Sequence, residues 1–241
     1  MSTIEIANAV VEKYRGIEGL STVLLIGSNA RGDQEDSSDV DFMCVFSDAV
    51  DWPMDVRDGG RHAWCEATKH VEVLFATTDR IRRLMLRDAD AGKPYRMECV
   101  VEGCVLFGGD SSFAELKKEA AKRLASGPPE LTARDRQWEG YEIWCGLERV
   151  GGWEDSAVSS LRGYQLLQRM LLLTYALNRK WRPADKHLLR DLPDVDEKVF
   201  SLARSYLEQP NPVDLRRMAH HLGTEHAIRL TGTYKSASMP G

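Results

Sequence analysis

At Ser126-Gly127-Pro128-Pro129 the hydrophobic pattern of this chain changes and does not change back. Two consecutive prolines cannot continue a helix, and the glycine beside them relaxes the backbone. Before the break, element types alternate. Ile4 to Tyr14 has helical spacing, Thr22 to Ile26 is a β-branched and aliphatic run ending at Gly27, and Asp39 to Phe46 alternates along a second strand. His70 to Ala76 reads as a third strand and Cys104 to Phe107 as a short fourth; between them Thr78 to Arg87 reads as a helix with Thr77 or Thr78 as its N-cap. After the break the spacing is helical throughout. Trp138, Tyr141 and Cys145 share one face, Leu166, Met170, Leu173 and Leu177 another, and Asn211-Pro212 opens a last helix carrying Leu215, Met218, Ala219 and Leu222. The expected fold is an α/β (α+β) domain with a mixed sheet over residues 1–127, then an all-α helical bundle over 128–241.

A chain of 241 residues supports such cores without help, since this length buries roughly 70% of the unfolded surface. The five cysteines (Cys44, Cys65, Cys99, Cys104 and Cys145) form no Cys-x-x-Cys pair and read as reduced thiols, with Cys99 and Cys104 in the core. The net charge of −5, from 32 basic and 37 acidic residues, argues against a protein whose main task is gripping nucleic acid. The opening MSTIEIANAVVEKYRG lacks the basic start and apolar core of a signal peptide. The chain's longest aliphatic runs, Val23 to Ile26 and Met170 to Leu173, fall far short of the ~20 residues that span a bilayer. A cytoplasmic chain with small-molecule or cationic partners, and with neither membrane nor nucleic acid, is the expectation.

Chemistry concentrates in Gly27-Ser28-Asn29-Ala30-Arg31-Gly32 followed by Ser38-Asp39-Val40-Asp41. A strand ending at a glycine lets the backbone approach a ligand closely, and exposed N–H groups there attract phosphate. Asp39 and Asp41, two apart on a strand, project from one face while Val40, Phe42, Cys44 and Phe46 turn to the core. Two neighbouring carboxylates repel unless a cation lies between them, and hard oxygen ligands facing a phosphate loop suit Mg²⁺ bridging to a triphosphate. An Asp-x-Asp or a Gly-Ser alone is usually a solvated edge or a turn; it is their combination that points to a site.

The segment GSNARGDQEDSSDVDF resembles the signature of the nucleotidyltransferase superfamily typified by DNA polymerase beta. Its details look most like the bacterial minimal nucleotidyltransferases and the aminoglycoside and lincosamide nucleotidyltransferases. Those families place a third carboxylate on a later strand, and Glu72 in Val71-Glu72-Val73 matches that place. The resemblance implies that Gly27, Ser28, Arg31 and Ser38 contact a nucleoside triphosphate, expected to be ATP. It assigns Asp39, Asp41 and Glu72 to one or two Mg²⁺ ions and to catalysis. Asn178 to Lys186 is similar to the loop after the long second-domain helix of streptomycin/spectinomycin-type adenylyltransferases, where Lys186 would match a lysine that reaches the nucleotide phosphates; otherwise it is a solvated charge run at a helix end.

The implied reaction is transfer of a nucleoside monophosphate to a hydroxyl of a small molecule, such as an aminoglycoside or lincosamide antibiotic, with release of pyrophosphate. Glu72 is the first choice of base, with Glu139 and Glu142 of the helical half as alternatives, and the acceptor pocket is expected in the cleft between domains. Competing readings are an antitoxin-type regulator that binds and nucleotidylates a partner protein, a nucleotide-binding module without catalysis, and template-free RNA tailing. About 110 residues of bundle after the prolines favour the small-molecule enzyme over a minimal antitoxin. Trp138, Trp144, Trp153 and Trp181 read as core more than stacking platforms. His220, His221 and His226 read as a solvated helix end, and Arg80, Arg82, Arg83 and Arg87 as a solvated face balanced by Asp79, Asp88 and Asp90.

Overall fold

The computed structural model describes residues 1–47, 57–151 and 156–234, so Trp153 lies outside the described residues. Contacts divide the chain into two compact units, Met1–Ser126 and Gly127–Gly241.

The first unit opens with α1 (Thr3–Tyr14). The Ser2 hydroxyl accepts the Glu5 N–H while the Ser2 N–H donates to the Glu5 carboxylate at 2.6 Å, closing a capping box that holds the Glu5 carboxyl below its ordinary pKa. Five strands follow: β1 (Leu20–Ile26), β2 (Val40–Phe46), β3 (Arg61–Glu66), β4 (Lys69–Thr77) and β5 (Cys104–Gly108). They form one sheet in the order β3-β4-β2-β1-β5. β2 and β4 are parallel, while β1 runs antiparallel to both β2 and β5, and β3 antiparallel to β4. The sheet is therefore mixed. Side chains alternate across it, and α1 covers the face built from Val23, Leu25, Val40, Phe42, Cys44, Val71, Val73 and Phe75.

The crossover from β4 to β5 carries α3 (Thr78–Asp90) and α4 (Tyr95–Glu102), which touch β4 and β1. Thr77 caps α3 by accepting the Arg80 N–H at 3.2 Å. A four-residue helix α2 (Ser28–Arg31) follows β1, and α5 (Ser111–Ser126) ends the unit.

The second unit consists of α6 (Ala133–Gly151), α7 (Ser156–Leu177), two 3₁₀ turns (Asp185–His187 and Leu192–Asp194), α8 (Glu197–Glu208) and α9 (Pro212–Glu225). Its core includes Ile143, Leu166, Met170, Leu192, Val199, Leu215, Met218 and Leu222, all 4% exposed or less. Asn211 caps α9 through its Oδ1 and the Asp214 N–H at 3.0 Å. Asp214 is itself buried and accepts the Ser205 hydroxyl at 2.7 Å, the main reason its carboxyl is held below the usual carboxylate range.

Several expectations change. Strand β3 and helices α4 and α5 were not singled out by the sequence pattern. No residue of β3, an edge strand, is buried, and its Arg61 to Glu66 sequence carries no apolar run. Cys99 is buried, and burial pushes its thiol up to about 12, whereas Cys104 is exposed on β5. The C-terminal histidines are not one solvated end. His220 is exposed, but His221 pairs with Asp196 at 2.9 Å, and Asp196 also caps α8. Arg80 and Arg82 do pair, with Asp58, Asp79 and Glu119, yet Asp88 is buried and binds Arg96 at 3.1 Å. Trp138 and Trp144 are exposed instead of core, with Trp138 edge-on to Tyr234 at 4.9 Å; Trp181 is half-buried. No helix among the described residues is long and apolar enough to cross a membrane.

Candidate active site

The sheet sets the geometry. Ile26, the last residue of β1, is the register partner of Asp41 on β2; Asp41 is the partner of Glu72 on β4, and Glu72 of Ala63 on β3. Residues in register share a face, and adjacent strands lie about 4.8 Å apart, so the carboxylates of Asp41 and Glu72 leave the sheet side by side. They leave on the face opposite the α1 core, because their neighbours Val40, Phe42, Val71 and Val73 point into it. Glu72 is half-buried.

Gly27 follows Ile26 directly. Its φ of 70° and ψ of −151° lie in a region essentially confined to glycine. A Cβ on Gly27 would come 3.0 Å from Oδ2 of Asp41, so the bare backbone at the end of β1 lies against this acid. Ser28 is buried and begins α2, and its carbonyl accepts the N–H groups of Gly32 and Asp33 at 2.9 and 3.2 Å.

Asp39 immediately precedes β2 and is exposed. Its carboxylate lies 3.8 Å from Nδ1 of His70, two residues before Glu72 on β4. Its backbone carbonyl accepts the Asn29 side-chain amide at 2.7 Å, and Asn29 in turn accepts the Thr3 hydroxyl at 3.2 Å. These bonds tie the loop between β1 and β2 to both the α2 turn and α1. Ser38 closes the turn before Asp39, with its hydroxyl accepting the Glu35 N–H at 2.9 Å.

The structure thus brings Gly27, Ser28, Asp39, Asp41 and Glu72 to one end of the sheet. The other named residues are placed differently. Arg31 turns to Asp33 at 3.2 Å and Glu102 at 3.8 Å. Lys186 is exposed in a 3₁₀ turn of the second unit. Glu139 and Glu142 lie on α6, both held by Arg169: its Nε and Nη2 fork onto Glu139 at 2.8 and 3.1 Å, and its Nη1 reaches Glu142 at 3.3 Å.

Sequence reasoning missed two partners. His70 shares the parity of Glu72 on the same strand, a signal the alternation did contain. Arg61, whose Nη1 binds Glu72 at 2.7 Å, comes from the edge strand that carries no apolar run. Asp39, just before β2, and Asp41, two residues on within it, offer hard carboxylate oxygens, a donor chemistry that fits a divalent cation such as Mg²⁺. The Arg61 guanidinium already engages Glu72. Among the described residues no group of three or more His, Cys, Asp or Glu side chains is arranged to hold a metal, so the fit rests on the aspartate pair.

A family profile described as a nucleotidyltransferase domain matches residues 4–93. That span contains the β1 turn, both aspartates, Arg61, His70 and Glu72. Among solved structures the chain is similar to a nucleotidyltransferase-like protein from Exiguobacterium sibiricum 255-15, at 12% identity and a TM-score of 0.47, over 94% of this chain and 77% of that one. No curated protein matches the sequence.

Proposed function

We propose that this chain, whose residues 4–93 match a nucleotidyltransferase-domain profile, transfers a nucleoside monophosphate, AMP from ATP, to a hydroxyl of a small acceptor and releases pyrophosphate. The acceptor class is a hydroxylated small molecule such as an aminoglycoside or lincosamide. The observation that carries the reading is the register Ile26–Asp41–Glu72, with Gly27 against the Asp41 carboxylate.

The triphosphate lies along the Gly27-Ser28 turn, where the missing side chain permits close backbone approach. Asp39 and Asp41 hold Mg²⁺, which when bound offsets charge on the phosphate oxygens. The acceptor oxygen attacks the α-phosphorus in line as its proton passes to Glu72, and pyrophosphate departs. The protein's part is mostly positioning and charge neutralisation. Glu72 acts as base once Arg61 has let it go. A nucleotide-binding module without turnover is the second reading, and the Arg61–Glu72 ion pair is what favours it.

The test is pyrophosphate release from each NTP with Mg²⁺ across a panel of aminoglycosides, lincosamides and other hydroxylated metabolites. The transferase reading expects release that depends on one acceptor. Asp39→Asn and Asp41→Asn change charge and hardly any volume, so each variant should fold and lose about 10²-fold or more in rate. A double variant with full transfer activity would overturn the metal assignment. Mg²⁺-dependent ATP binding with silence across the panel favours the module. For Lys186, a raised KM for nucleotide in Lys186→Ala is the expected outcome, and an unchanged KM leaves it a solvated charge.

A further inference from the structure

In the helical unit, α6 and α7 run antiparallel and leave a groove of about 200 Å³ lined by Glu142, Gly146, Arg149, Arg162, Gln165 and Arg169. On α6 the positions 142, 146 and 149 follow helical spacing along one face, as do 162, 165, 166 and 169 on α7. The register across the hairpin is fixed at two points. Glu142 meets Arg169 at 3.3 Å, and a Cβ on Gly146 would come 2.7 Å from a methyl of Leu166. Gly146 therefore lets the helices close over an apolar floor and keeps the groove above it open. Continued by one turn, the same register sets Arg149 against Arg162.

The charges along this groove are unevenly settled. Arg169 is fully engaged by Glu139 and Glu142. Arg149 and Arg162 are both exposed, and neither has an ion-pair partner among the described residues. Like charges facing each other across two helices are mildly destabilising, and the arrangement gains most from a bound dianion. Guanidinium forks match the oxygens of a phosphate, with the Gln165 amide as a further neutral donor.

We propose that the groove between α6 and α7 binds a phosphate group between Arg149 and Arg162. The group arrives as a free anion (inorganic phosphate or pyrophosphate) or as part of a nucleotide.

Calorimetric titration of the intact chain with inorganic phosphate, pyrophosphate and AMP, in EDTA at fixed ionic strength, tests it. Saturable binding is expected for the unaltered protein and for Asp41→Asn, which removes a carboxylate of the sheet site. The double variant Arg149→Gln/Arg162→Gln should lose at least tenfold in affinity. Its circular dichroism should be unchanged and its Tm in chloride no lower, since both side chains are exposed. Arg162→Lys keeps the charge without the fork and should fall between. Phosphate or pyrophosphate binding as tightly as AMP identifies the free anion; AMP alone identifies the nucleotide. No saturable binding of any of the three, or equal affinity in the double variant, overturns the proposal, and equal affinity in the double variant with a gain in Asp41→Asn moves the binding to the sheet site.

Discussion

Gly27 and Asp41 compete for the same small volume, and this decides what either position tolerates. Gly27→Ala forces a side chain into a glycine-only backbone region and toward Oδ2 of Asp41. The expected cost is about 1–3 kcal/mol, read as a lowered Tm, with weakened nucleotide binding because the acid must move. An alanine variant as stable as the parent would show that the turn is not held as described. At Glu72 the question is chemical. Glu72→Gln removes the proton acceptor while keeping the shape, so turnover should fall ~10²–10⁴-fold with nucleotide binding retained. Normal turnover would move the search for a base to Glu139 and Glu142, which would first have to leave Arg169.

Among the elements, the C-terminal end of α9 carries a pH-sensitive contact. His226 caps this helix in a half-buried place, and burial is the main cause holding its pKa below the ordinary histidine value; Asp196 opposes the shift, while the His221 and Arg136 charges reinforce it. A base whose pKa is lowered by folding binds fewer protons folded than unfolded. Its contribution is therefore complete above the unfolded value and is lost as pH falls from there through the lower folded value. The chain should lose stability as pH drops from 7 toward 5, and His226→Gln should flatten that part of the curve. An identical pH dependence in the variant would assign the loss to other groups. Elements also show where sequence patterns speak. α1, β1, β2, β4 and α9 were all legible, because each buries a periodic apolar face or carries a cap, and β5, an edge strand with no buried residue, was legible from its Val105-Leu106-Phe107 run alone. β3 was not, because an edge strand of mixed polarity buries nothing.

Across the whole molecule, each unit has a core of its own: Phe42, Phe46, Val71, Phe75 and Tyr14 in the first, Met170, Leu192, Leu215, Met218 and Tyr175 in the second. A fragment ending at Ser126 should consequently fold by itself and melt cooperatively by circular dichroism, with a Tm within ~10 °C of the corresponding transition of the full chain. A fragment without a thermal transition would show that the first core needs the rest of the chain. What the sequence determined by itself is local in origin. The Gly-Ser turn, the acidic alternation after it and the change of period at the prolines report single-element physics: backbone freedom, side-chain parity and helix termination. Which carboxylates stand together is a different matter. Asp41 and Glu72 are 31 positions apart in number and become neighbours only through parallel strand register, and Arg61 reaches Glu72 only because β3 folds back on β4. Register depends on which faces are buried against which helices, a condition spread over the whole sheet, and so it was decided by the tertiary structure alone.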